Sequence, residues 1–196
     1  MTYAPARPGA GWSGADQSVI ELPWQAEFCT QAMLLYDGQA LSTGALGSGT
    51  WTVANQGIFY EFWVYEPTTV YKLGWINGSA AGGNTCVALY NSDTNARLAT
   101  TGPTLRVGNS LKQYVDTADT LLLPGQSYRA AMSHDSVTAN QSAVQASNLI
   151  SLPELLLAQL KVQASVATLP DPCTPVDPTA ILALPTILLA TMAATG

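Results

Sequence analysis

The residues able to do chemistry are few in this chain of 196 residues. His134 is the only histidine. Nucleophilic catalysis needs a base, a nucleophile and an orienting acid that converge. Asp135 is adjacent in sequence, which in a strand sends it to the opposite face. No G-x-S-x-G elbow is present. His134 therefore reads as a loop histidine following the strand Tyr128–Met132. Glu61 with Glu66, or Asp116 with Asp119, would have to face each other across a cleft to cleave a glycosidic bond. Nothing in their spacing puts them there, and the Asp/Thr-rich stretch 116–120 reads as a turn. Hydrolase activity would need such a cleft or a working His134, and no enzymatic function is expected.

Metal and cofactor signals are also absent. Asn91-x-Asp93-x-Asn95 has the alternating oxygens of a calcium loop. It lacks the glycine after the third ligand and the distal glutamate, because Ala96 follows and the next acid is Asp116. A hairpin turn is the better reading, since Asx side chains bond their own backbone. Cys29, Cys86 and Cys173 are an odd, widely spaced set without a C-x-x-C pair, so reduced thiols are expected. No phosphate-cradling glycine loop occurs. No cofactor and no metal are expected.

The elements that would carry these residues read as strands. Ile58, Tyr60, Phe62 and Val64 alternate with Phe59, Glu61 and Trp63. Both faces are largely apolar, which suits a strand covered on both sides or one in an interface. Val70–Ile76, Thr85–Tyr90, Arg97–Thr101, Leu111–Val115 and Gln126–Met132 follow, with turn residues at Asn77-Gly78, Asn91–Asn95, Gly102-Pro103 and Pro124-Gly125. Short strands at such spacing predict a mainly β fold, an antiparallel β-sandwich of jelly-roll type.

Three zones are expected: an N-terminal arm over 1–50, the sandwich over 51–148, and a Leu/Pro-rich C-terminal extension over 149–196. Ser151 and Glu154 fit a capping box, which predicts one short helix from Ser151 to about Gln163. An extended reading of its leucines stays open. Pro170, Pro172, Pro175 and Pro178 force the next segment to be extended. Thr179–Gly196 has no charge, but Pro185 and the absence of flanking cations argue against a membrane span. Met1–Gly9 has no apolar stretch to act as a secretion signal.

The chain carries 7 Lys+Arg against 13 Asp+Glu, a net charge of −6, with 10% charged and 47% hydrophobic residues. An average domain is about 25% charged. Seven scattered cations cannot track a phosphate backbone, so no nucleic-acid partner is expected. So thin a charged coat implies that other protein chains cover part of the surface. Trp12, Trp24, Leu156, Leu160, Ile181, Leu184, Ile187 and Leu188, in the arm and the extension, are the expected interface residues. Tryptophans also suit sugar binding or plain core packing.

Three stretches together, Gly57–Trp75, Cys86–Ala99 and Leu123–Met132, resemble a β-sandwich module of tailed-bacteriophage virion proteins of the head-decoration, head-fibre and tail-fibre kinds. The shared pattern is an aliphatic-x-aliphatic-Tyr strand (Val87, Leu89, Tyr90), an Asx-rich hairpin, and a Pro-Gly turn before a Tyr-containing strand. Asn95-Ala96 departs from the Asn-Gly usual in such a hairpin. The resemblance implies a non-enzymatic virion protein, assembled in the host cytoplasm. The expected role is capsid decoration or cement, as a homo-oligomer on major capsid or tail subunits. The alternative is a fibre adhesin that binds host-surface glycans.

Overall fold

The computed structural model describes residues 20–21, 46–51, 53–64, 66–145, 160–178, 183–185 and 187–193. The strands, in chain order, are β1 (Ile20–Glu21), β2 (Leu46–Thr50), β3 (Gln56–Trp63), β4 (Thr68–Ile76), β5 (Asn84–Asn91), β6 (Arg97–Thr100), β7 (Thr104–Leu105), β8 (Lys112–Leu122), β9 (Ser127–His134), β10 (Asn140–Gln145), β11 (Leu160–Gln163), β12 (Ala183–Pro185) and β13 (Ile187–Ala193). All pair antiparallel. One sheet runs β1-β13-β4-β8, a second β11-β3-β9-β5-β6 with β7 added to β5, and a small third β12-β10-β2. The mainly β, antiparallel class expected from the sequence is what is found.

The main core lies between the first two sheets. Tyr60 and Phe62 from β3, Leu89 from β5 and Met132 from β9 meet Leu73 and Trp75 from β4 and Leu189 from β13. The period-2 alternation of strands puts these residues on one face. The other face of the second sheet is also dry. Phe59, Cys86, Ala88, Tyr90 and Ala131 are covered by Val166, Leu169 and Cys173 of the proline-rich segment 164–178. That segment is not helical, as its prolines require, but it is not the plain extended run expected: it bends at 164–165, 167–168 and 171–172 and crosses the sheet as a strap. Tyr90 Oη donates to Pro170 O at 2.8 Å, and Arg97 Nη1 to Leu169 O at 2.7 Å. The doubly apolar pattern of β3 is thus satisfied within the chain along Ile58–Phe62, while Trp63 at its end is 42% exposed.

Several expectations need correction. Residues 116–120 are not a turn but the middle of β8, the edge strand of the first sheet. β4 is long enough to pair with β8 along Lys112–Leu122, with a bulge between Val70 and Lys72. Lys72 Nζ meets Asp116 Oδ1 at 2.9 Å across that ladder. Leu160–Gln163 is strand, paired with Tyr60–Gly57 of β3, rather than the end of a helix. The rest of that expected helix, 151–159, lies outside the described residues.

The C-terminal extension is not a free arm. β13 sits between β1 and β4 and completes the first sheet. An uncharged apolar run can satisfy its backbone inside a sheet, at lower cost than in water. The described pieces of the N-terminal zone pair likewise, β1 with β13 and β2 with β10. Among the described residues no helix is long and apolar enough to cross a membrane.

Candidate functional site: a buried arginine–histidine cluster

The expected interface residues fall in three groups. Leu160, Ile187 and Leu188 are buried in the chain's own core, at 1%, 2% and 1% exposure. They are core residues, not surface anchors, because their strands close the sandwich. Leu184 lies in β12 opposite Val144. Trp12, Trp24, Leu156 and Ile181 lie outside the described residues.

The candidate catalytic residues do not converge. Glu61 Oε2 faces Arg129 Nε at 3.6 Å. Glu66 is exposed, and Asp116 and Asp119 sit on the open edge strand. Asn91–Asn95 is a turn: Asn91 Oδ1 accepts from the Asp93 and Thr94 amides, each at 3.0 Å. Asn95 takes a left-handed φ of 60°, which asparagine tolerates, so Asn95-Ala96 serves where Asn-Gly is usual. Its Oδ1 also accepts from Arg129 Nη1 at 2.5 Å. Cys86 and Cys173 are buried free thiols. Among the described residues no group of three His, Cys, Asp or Glu converges on a metal position.

The structure does assemble one polar cluster that sequence reasoning missed. His134 is not a loop residue. It ends β9, opposite Gln56 of β3 and Thr85 of β5, and is fully buried. Its partner is Arg106, in the segment after β7 and also buried. Arg106 Nη1 stands 2.6 Å from His134 Nε2. The guanidinium also donates from Nε to Asn77 Oδ1 at 2.9 Å, and from Nη2 to Asn140 O at 2.5 Å. Asn77 Oδ1 accepts from Trp75 Nε1 too, at 2.8 Å, and its Nδ2 donates to Val107 O and Gly108 O. Three turns of chain are therefore tied to one side chain. A planar fork of five donors suits this task, and a lysine could not do it.

The electrostatics are unusual. Arg106 is a buried cation whose hydrogen-bond partners are all neutral, and burial lowers its pKa to about 10. A guanidinium has no lone pair, so His134 Nε2 must accept. The Ser136 amide stands 2.9 Å from Nδ1, so both ring nitrogens face an N–H donor. A neutral imidazole can satisfy one of them and an imidazolium neither. Burial first, and then the Arg106 charge, lower the His134 pKa to about 4, against the Asp135 carboxylate and the Gly82 carbonyl, which favour the cation. Buried and neutral, His134 faces the Arg106 guanidinium and the Ser136 amide, and the cluster ties the surrounding loops together.

What it organises is exposed and apolar. With Arg106 turned inward, its neighbours Leu105 and Val107 turn outward, at 60% and 64% exposure, and Leu111 is 58% exposed beside them. The Leu111 side chain lies over Gly108, whose φ of 82° strains any residue with a Cβ; a Cβ there would also displace Leu111 Cδ1, which would be 2.6 Å away. The only signal for this site in the sequence was a lone arginine flanked by aliphatic residues, Leu105 and Val107. No protein-family model and no curated protein matches the sequence.

Proposed function

We propose that this chain is a non-enzymatic structural component of a tailed-bacteriophage particle. In this reading it is a capsid decoration or cement protein that docks on major capsid or tail subunits and on copies of itself. The sandwich is the rigid body, covered internally on both faces of its larger sheet. The docking surface is the loop 105–111, with Leu105, Val107 and Leu111, rather than the C-terminal strands. The observation that carries this is the exposure of three large aliphatic side chains on one loop held from beneath by Arg106. Scattered exposed aliphatics need no explanation, but three on one fixed loop, on a chain with few charges, favour a partner surface.

Sedimentation of the purified full chain tests this. Concentration-dependent oligomers that vanish in a Leu105→Ser, Val107→Ser, Leu111→Ser variant of unchanged melting temperature are expected. A wild-type chain monomeric at all concentrations, with no retention on phage-type capsids, overturns the reading. Specific glycan retention on an array would instead favour the adhesin alternative.

A further inference from the structure

The end of the sandwich built around Arg106 consists of four turns held to one another by backbone bonds. Asn55 N donates to His134 O, Gly78 N to Asn140 O, Asn140 N to Ala80 O, and Arg106 N to Gly83 O, at 2.7, 3.0, 2.8 and 3.1 Å. Side chains join them too: Asn77 Nδ2 donates to Val107 O and Gly108 O, Asn109 Oδ1 accepts from the Ala81 amide, and the Arg106 fork alone reaches three of the turns, with one of its arms ending on a titratable group. That arm works in one protonation state alone. A proton on Nε2 would set N–H against N–H at 2.6 Å and place two cations in a site sealed from water.

The charged groups around the ring are Arg106 and, at 3.6 Å from Nδ1, Asp135. The latter is partly exposed and already engaged with the Asn84 amide and side chain, each at 2.7 Å. The remaining neighbours on the packed elements are Gln56, Thr85, Asn77 and the Trp51 ring, centroid 6.2 Å away, and they carry no charge. Asp135 and the Gly82 carbonyl are the groups that favour a second positive charge there, and burial with the Arg106 charge outweighs them.

We propose that Arg106 and His134 form an acid-released latch: protonation of His134 expels the guanidinium and frees the 77–83 and 105–111 loops while the two main sheets persist. The sheets persist because the main core between them is built of aliphatic and aromatic side chains and holds no carboxylate and no histidine. The partner-facing loop 105–111 is thereby made sensitive to acid, whatever its partner is. This inference does not depend on the proposed function, because the latch is internal to one chain.

The experiment is direct, since His134 is the only histidine and its ring signals identify themselves. The full chain is titrated from pH 7.5 to 3.5 by NMR, following the ring together with the protection factors of the Gly78, Arg106 and Asn140 amides and of the Val87 amide in β5. The expected result is a ring midpoint at least one pH unit below the ordinary 6.5. Loop protection should fall at least tenfold with the same midpoint, and Val87 should be unaffected. In His134→Gln, whose amide oxygen can still accept from Arg106, loop protection should be independent of pH over this range. A ring that titrates near 6.5, loops that open with a different midpoint, or loops that open unchanged in His134→Gln overturns the latch. Should that variant fail to fold, the match or mismatch of the two wild-type midpoints decides alone.

Discussion

Arg106 and His134 meet nitrogen to nitrogen at 2.6 Å with no exposed face on either partner, a buried cation resting on a neutral ring. The pair costs desolvation and is offset by three hydrogen bonds from one guanidinium. Removing one member is therefore worse than never having had the pair.

Arg106→Met should destabilise the chain by about 3 kcal/mol, because Asn77 Oδ1 and Asn140 O each lose one of their two donors and His134 Nε2 is left buried without its own. Arg106→Lys should recover less than half, since an ammonium cannot span three acceptors. Urea denaturation followed by far-UV circular dichroism measures both.

Stability should fall as pH drops from about 6.5 to about 4. The folded His134 resists a proton that the unfolded chain takes up at the ordinary 6.5, so the unfolded state gains protons first. The contribution is complete above 6.5 and is lost towards 4, by up to about 3 kcal/mol. Burial raises the Asp135 pKa, but its bonds to Asn84 together outweigh that and lower it; the stability this adds is lost only below the ordinary carboxylate value, so the two windows separate. Denaturant midpoints at half-unit pH steps, for wild type and His134→Gln, resolve them. A flat wild-type profile between 6.5 and 4.5 would contradict the assignment.

Gly74 is the one position in β4 where the strand has no room for a side chain. A Cβ there would stand 2.4 Å from Gln113 O and 2.7 Å from the Tyr114 ring, which crosses the strand at that point. Gly74→Ala must push β8 off its register and should cost about 2 kcal/mol. Gly125→Ala, in open space but at a φ of 82°, should cost about 1 kcal/mol through backbone strain alone. Thermal melts of the two variants test the order.

The strap should be held mainly by packing. Leu169→Ala removes a fully buried side chain from the cluster with Phe59 and Tyr90 and should cost about 3 kcal/mol. Tyr90→Phe loses only the bond to Pro170 O and should cost about 1 kcal/mol. Limited proteolysis near residues 164–178 should accelerate in the first variant and much less in the second.

Local patterns in the sequence determined the β class, the turn at Asn91–Asn95, the non-helical character of the strap and the apolar character of both faces of β3. Each is a property of neighbouring residues: alternation, Asx bonding, or a fixed proline φ. What covers the second face of β3, which strands complete the first sheet, and which arginine meets the single histidine were decided by tertiary structure. Leu160, Ile187 and Leu188 carry the same apolar signal whether they face another chain or their own, since hydrophobic burial has no direction and does not name its partner. The Arg106 cluster joins residues 77, 106, 134 and 140, and no periodicity or short motif encodes a contact that only the closing of separate turns creates.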